Sequence, residues 1–160
     1  MGFQQNELLT EFTGGILTLV LNRPKQRNAL TFGMYQKISE LCQRAGTELD
    51  EQGIKAIVIS GAGEKAFAAG TDIGQFTSFK TLQDGHDYEA RIESVITSIE
   101  TCRVPVIAAL HGAVTGGGLV IAAAAHLRLA SANVKIGMPI ARTLGNCLAI
   151  ANLRRLVALF

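Results

Sequence analysis

The stretch from Val104 to Ala125, VPVIAALHGAVTGGGLVIAAAA, carries no Asp, Glu, Lys or Arg. A segment with no charge belongs in a protein core or in a membrane, and its internal breaks decide between the two. Pro105 stands second in an apolar run, Val104 to Leu110, where a strand tolerates proline. His111, Gly112 and the triple glycine Gly116-Gly117-Gly118 follow, and then Leu119, Val120, Ile121 and four alanines. Gly112 to Gly116 spells GxxxG, a packing motif of transmembrane helices, but Pro105, His111 and the clustered glycines would cut such a helix in two. The segment reads as buried strand, glycine turn, buried helix. A turn of this kind leaves backbone N–H groups unpaired at a helix N-terminus, where negative charge is stabilised. With no Cβ there, a ligand can come up to the main chain.

The remaining composition bounds the class. With 160 residues, 48% of them hydrophobic, the chain can build one domain with a substantial core. Charged residues are 18%, low enough to place much of the chain in a core or at subunit contacts, and the net charge of +2 argues against nucleic acid or an anionic membrane as partner. Cys42, Cys102 and Cys147 lack metal-ligand spacing and read as reduced thiols, so no metal is expected. The N-terminus lacks a basic flank followed by an apolar core, the mark of a signal peptide.

In order along the chain, Leu8 to Phe12 and Ile16 to Asn22 are β-type runs around Gly14-Gly15, a hairpin signal. Asn22 to Thr31, NRPKQRNALT, is a turn holding Arg23, Lys25 and Arg27, with Thr31 placed to cap a helix. Ile38, Leu41, Ala45 and Leu49 recur at helical spacing, and Gly53 is expected to end that helix. Ile54 to Ser60 is an apolar strand, so strand, helix and strand imply a βαβ crossover. Ala66 to Ile73 is expected as a second small-residue turn, Gln75 to Asp87 as a mobile loop, and Tyr88 to Cys102 as a helix. Leu127 to Ala130 and Val134 to Ile136 are short strands, and Asn146 to Phe160 is helical. Leu156 to Phe160 is an apolar end without a cap, which predicts further residues or a covering partner beyond it.

Three motifs carry a resemblance. Asn22-Arg23-Pro24 with Asn28-Ala29-Leu30, then Phe67-Ala-Ala-Gly-Thr71-Asp72-Ile73, then His111-Gly112 with Gly116-Gly-Gly resemble the crotonase superfamily, also called the enoyl-CoA hydratase/isomerase family. The resemblance implies an α/β fold, a crotonase-like spiral of ββα units, with residues 1–160 forming its N-terminal core and the helical C-terminal region missing. It implies an acyl-CoA thioester as ligand, with coenzyme A part of the substrate and no covalently bound cofactor. It also implies lyase or isomerase chemistry of fatty acid metabolism, a cytoplasmic location, and a homotrimer or dimer of trimers at full length. By motif match the N–H groups of Thr71 and Gly117 form an oxyanion hole for the thioester enolate. Losing one such donor typically costs about 3–4 kcal/mol of barrier. Arg23, Lys25, Arg27, Ala29, Ala69, Asp72 and Ile73 match the region that binds CoA. For each cation a solvated charged turn is the competing reading, and for Asp72 a helix N-cap.

The departures from the family pattern bear on chemistry. The two positions where hydrating members carry a glutamate are Val120 and Ile140, and neither side chain can move a proton. In the segment that holds Arg142, Thr143 and Asn146, Arg142 could bind an acyl carboxylate and Asn146 orient it, while Asn146 reads alternatively as the N-cap of the last helix. His111 could be a base or a buried histidine bonded to backbone. His86, Glu89 and Glu93 sit where they could line the acyl pocket. No GxSxG elbow, GxxxxGK[ST] loop or HExxH pair is present. Three readings stay open: an acyl-CoA enzyme with a different acid/base set, a catalytically silent acyl-CoA binder or scaffold, and a nucleotide-binding or interaction module with an accidental glycine turn.

Overall fold

The computed structural model describes residues 6–140 and 148–158. Its first unit is the expected hairpin. Strands β1 (Leu8–Thr13) and β2 (Ile16–Leu21) pair antiparallel around Gly14 and Gly15. In β2 the alternation buries Leu17, Leu19 and Leu21 and turns Ile16, Thr18 and Val20 away from the core. Helix α1 (Phe32–Arg44) is capped by Thr31, whose hydroxyl accepts the Met34 N–H at 3.3 Å. Its apolar stripe, Met34, Tyr35, Ile38 and Cys42, faces inward. The chain then enters β3 (Ala56–Gly61), parallel to β2, which completes the predicted βαβ unit.

Strands β4 (Ala66–Ala69), β5 (Val106–Leu110), β6 (Ala113–Thr115), β7 (Leu127–Ala130) and β8 (Lys135–Gly137) follow, with α2 (Leu82–Glu100), α3 (Gly117–Ala124) and α4 (Ile150–Val157) between and after them. The larger sheet has the order β1-β2-β3-β5-β7 and the smaller one β4-β6-β8. From β2 onward every neighbouring pair is parallel. The chain thus steps from the larger to the smaller sheet three times, at β3–β4, β5–β6 and β7–β8, the spiral that the resemblance implied. The core lies between the larger sheet (Leu19, Leu21, Ile57, Ile59, Val106, Ala108) and the inner faces of α1 and α2 (Ile38, Ile96, Ile99).

Four sequence expectations are corrected. Helix α1 stops at Arg44, well before Gly53. Asp50 accepts the N–H groups of Gly46, Gln52, Gly53 and Ile54 at 2.7–3.2 Å and wraps that segment into a loop, leaving Leu49 in solvent. The segment Ala66 to Ile73 is a strand followed by a tight turn, because Ala66 to Ala69 pair with β6. The expected mobile loop is a 3-10 turn (Ile73–Ser78) and the first two turns of α2, which starts at Leu82. The signal was present: Thr81 and Asp84 form a capping box, each bonded to the other's backbone N–H. Finally, the uncharged run is strand, kink, strand, helix. Gly112, at φ 54°, turns the chain out of β5 into β6, and its Cα lies against the Lys65 carbonyl.

Among the described residues no helix is long and apolar enough to cross a membrane, and no group of three His, Cys, Asp or Glu side chains could hold a metal.

Candidate active site

The site is assembled around one asparagine. Asn28 is fully buried and has the left-handed φ of 56°, a conformation that Asn adopts more readily than most residues. Its Oδ1 accepts the Arg23 N–H at 3.0 Å, and its Nδ2 donates to the carbonyls of Ala62 (2.9 Å) and Ala66 (2.7 Å). The cationic turn is therefore pinned to both ends of the β3–β4 connection. Arg23 extends this framework. It donates to the Ala29 carbonyl at 2.7 Å and pairs with Asp72 at 2.7 Å and Glu7 at 3.3 Å. Arg23 is thus engaged within the protein and is not a solvated cation. Asp72 also caps the following turn by accepting the Gly74 N–H at 3.0 Å. Lys25 and Arg27 are exposed and form no ion pair among the described residues. The Ala69 N–H is bonded to the Arg27 carbonyl at 3.0 Å.

Leu30 orients Thr71. The Leu30 N–H donates to Gly70 O at 2.8 Å, and the Leu30 carbonyl accepts from the Asp72 N–H at 2.9 Å. Extended backbone alternates its polar groups, so the Thr71 N–H points away from Leu30. Gly117 comes from the other side. It is the first residue of α3, where an N–H has no partner inside the helix. Gly116, with φ 52° and ψ −126°, makes the turn before it. Among the described residues neither the Thr71 N–H nor the Gly117 N–H has an acceptor. The two residues touch: a methyl on Gly117 would stand 2.9 Å from Thr71 Oγ1 and would overlap the Tyr35 hydroxyl.

Thr71 and Gly117 open onto a cavity of about 800 Å³. Val120 and Ile140 line it, as do Ile73, Phe76, Phe79, Ile92, Ile96 and Met138, so the wall is largely apolar. His86 and Glu89 of α2 also reach it. His111 does not line the cavity, and its Nε2 is buried without a partner among the described residues. Glu93 is taken by Arg155 of α4 at 2.6 Å, which holds its carboxyl below the usual glutamate range, and Arg155 also pairs with Glu100 at 2.7 Å. Arg142, Thr143 and Asn146 lie outside the described residues.

Sequence reasoning did not single out Tyr35 or Tyr88. Thr71 Oγ1 is hydrogen-bonded to the Tyr35 hydroxyl at 2.9 Å and to the Tyr88 hydroxyl at 3.3 Å, and all three residues line the cavity. Burial raises the pKa of both phenols, so they stay protonated at neutral pH. Phe76 packs edge-on against Tyr88 with ring centroids 4.8 Å apart, and Phe32 and Phe79 complete the cluster.

Comparison with known proteins follows the same pattern. The enoyl-CoA hydratase/isomerase profile matches residues 16–143. A short-chain-enoyl-CoA hydratase of Clostridium acetobutylicum is 33% identical over 134 residues, 84% of this chain and 50% of that protein. A mitochondrial 3-hydroxyisobutyryl-CoA hydrolase of Bos taurus is 36% identical over 138 residues, 83% of this chain and 34% of that protein. The crystal structure of an enoyl-CoA hydratase/carnithine racemase from Magnetospirillum magneticum superposes with a TM-score of 0.85 at 29% identity, over 97% of this chain and 57% of that one. The chain spans about half the length, or less, of the curated relatives it matches. By its three motifs, its two-sheet spiral and the profile match over most of its length, the chain belongs to the enoyl-CoA hydratase/isomerase family.

Proposed function

We propose that this protein binds an acyl-CoA thioester with the thioester oxygen between the N–H groups of Thr71 and Gly117, and there stabilises the negative charge of an enolate. The observation that carries this reading is the pair of N–H groups without acceptors at the mouth of an apolar cavity. Backbone donors fixed before the reaction stabilise developing charge without having to reorganise. Lys25 and Arg27, exposed on the turn beside Ala69, would meet the CoA phosphates. The acid/base groups differ from a glutamate pair. Val120 and Ile140 occupy the cavity wall, and among the described residues the titratable groups that reach it are His86, Glu89, Tyr35 and Tyr88. A cytoplasmic location and a trimeric assembly belong to the same reading, and light scattering on the full-length protein tests the assembly.

The apolar side chains at Val120 and Ile140 also favour a second reading, an acyl-CoA binder without turnover. Deuterium uptake at the α-carbon of butyryl-, octanoyl- and phenylacetyl-CoA in heavy water, followed by mass spectrometry, separates the two. Uptake above the uncatalysed rate is expected for the enzyme. Binding without uptake would overturn the enolate and favour the silent binder, or chemistry that removes no α-proton, and absence of binding would overturn both.

A further inference from the structure

The hydroxyl chain Tyr35–Thr71–Tyr88 lines the cavity, and burial at its Tyr35 end gives its hydrogen bonds a favoured direction. Tyr35 is 1% exposed, and the only hydrogen-bond partner of its hydroxyl among the described residues is Thr71 Oγ1. A buried hydroxyl proton left without an acceptor costs about 1–3 kcal/mol, so Tyr35 donates to Thr71. The Thr71 hydroxyl has a single proton. With its oxygen accepting from Tyr35, that proton is directed toward Tyr88 at 3.3 Å. The Tyr88 hydroxyl has no other hydrogen bond among the described residues, so its own proton is left for the cavity it lines.

The position of this outward donor is also fixed. Its ring stands against Phe32, Phe76 and Phe79 at centroid distances of 5.6, 4.8 and 6.1 Å. The middle of the chain, Thr71 Oγ1, belongs to the residue that supplies one backbone donor and lies against the Cα of the residue that supplies the other. A hydroxyl chain of this kind, buried at its Tyr35 end, polarises along its length and strengthens its terminal donor.

We propose that Tyr88 donates a hydrogen bond to the bound acyl thioester, a third donor beside the Thr71 and Gly117 N–H groups, and that Tyr35 is its positioning residue, acting through Thr71. This inference rests on the proposed function and deepens it: the site stabilises charge on the acyl group with neutral donors from both its main chain and its side chains. The apolar lining around the chain, Phe76, Phe79, Ile92, Ile96, Val120 and Ile140, selects an acyl group without a charge of its own.

The test is the infrared band of octanoyl-CoA carrying carbon-13 at the thioester carbonyl, bound to the full-length protein. Each hydrogen bond to that oxygen lowers the stretching frequency. In Tyr88→Phe the band is expected to return part of the way to higher frequency, with affinity for octanoyl-CoA changed less than tenfold. Tyr35→Phe is expected to move it less, in the same direction. A bound band in Tyr88→Phe identical to that of the wild type would overturn the assignment while leaving the proposed function in place. Failure of the wild type to bind octanoyl-CoA would overturn both. Should Tyr35→Phe fail to fold, the half-buried Tyr88→Phe decides alone.

Discussion

The contact between Gly117 and the Tyr35 hydroxyl can be measured as a coupling energy. Gly117 has no left-handed φ, so in helical backbone alone alanine would be favoured there by roughly 0.5–1 kcal/mol. Packing opposes the change. The added methyl would overlap the Tyr35 hydroxyl oxygen and stand 2.9 Å from Thr71 Oγ1, next to a buried ring. Overpacking of this kind costs about 1–3 kcal/mol. Displacing a buried hydroxyl from its single partner adds about 1–3 kcal/mol. Gly117→Ala is therefore expected to destabilise by about 1–5 kcal/mol after the helical gain is deducted. Tyr35→Phe alone loses one hydrogen bond, about 1 kcal/mol. In the double variant the clashing oxygen is gone, and the next ring atom, Tyr35 Cζ, stands 3.4 Å from the methyl, an ordinary contact. The double variant should lose only about 1–2 kcal/mol, against about 2–6 from adding the single losses, a coupling of about 1–4 kcal/mol. Urea unfolding followed by circular dichroism gives all four free energies, provided the slopes agree. Additive losses would refute the packing of Gly117 beneath the Tyr35 hydroxyl.

Three further outcomes follow from the geometry. Asn28→Ala removes three hydrogen bonds and places a less tolerant residue at φ 56°, so a loss of about 3–5 kcal/mol is expected in urea unfolding. Asn28→Gly relieves the strain and should recover only about 1 kcal/mol of that. Val120→Glu with Ile140→Glu puts two carboxyls on the cavity wall, and crotonyl-CoA hydration, read as loss of its ultraviolet absorbance, should appear; a folded variant that binds the ester without hydrating it would show that carboxylates alone are insufficient. The Glu93 carboxyl is held below its ordinary value by Arg155, so its contribution to stability is complete above about pH 4.3 and fades as pH falls through the lowered value. Because Glu93 is largely in solvent, that contribution stays under about 1 kcal/mol, and Arg155→Gln should remove the corresponding pH dependence of the urea midpoint.

The elements that the sequence predicted well are those whose signal is local. Leu17, Leu19 and Leu21 alternate within one strand, and Thr31 caps the helix that begins beside it. The glycine turn before α3 is local too, because Gly116 to Gly118 are contiguous. Legibility failed where the deciding partner is distant. Ala113-Val114-Thr115 is too short to announce a strand, and only its pairing with β4 and β8 makes it one. Tyr35 sits on the apolar stripe of α1 like any core residue, and its hydroxyl gains a role only because folding brings Thr71 against it. Arg23 reads as a surface cation until Asp72, Glu7 and the Ala29 carbonyl close around it. Asp50 hides the true end of α1 by local means, since one carboxylate there satisfies four N–H groups of a loop, all within four residues of it, which the periodicity of apolar residues does not register.

The two-sheet spiral also sets the tempo at which this chain can reach its native state. Ile16 pairs with Ala56, Ile57 with Val106 and Ile107 with Leu127, so each parallel rung joins residues separated by a whole helix or more. Only the opening hairpin closes locally. Chain entropy must be lost before any of these rungs forms, and topologies dominated by such distant pairing fold slowly. Thr71 and Gly117 belong to different turns of the spiral, so their N–H groups can converge only after strands β3 to β6 are in place. Hydrogen–deuterium exchange during refolding should therefore protect Thr18 and Val20 of the hairpin earlier than Val114 of the smaller sheet.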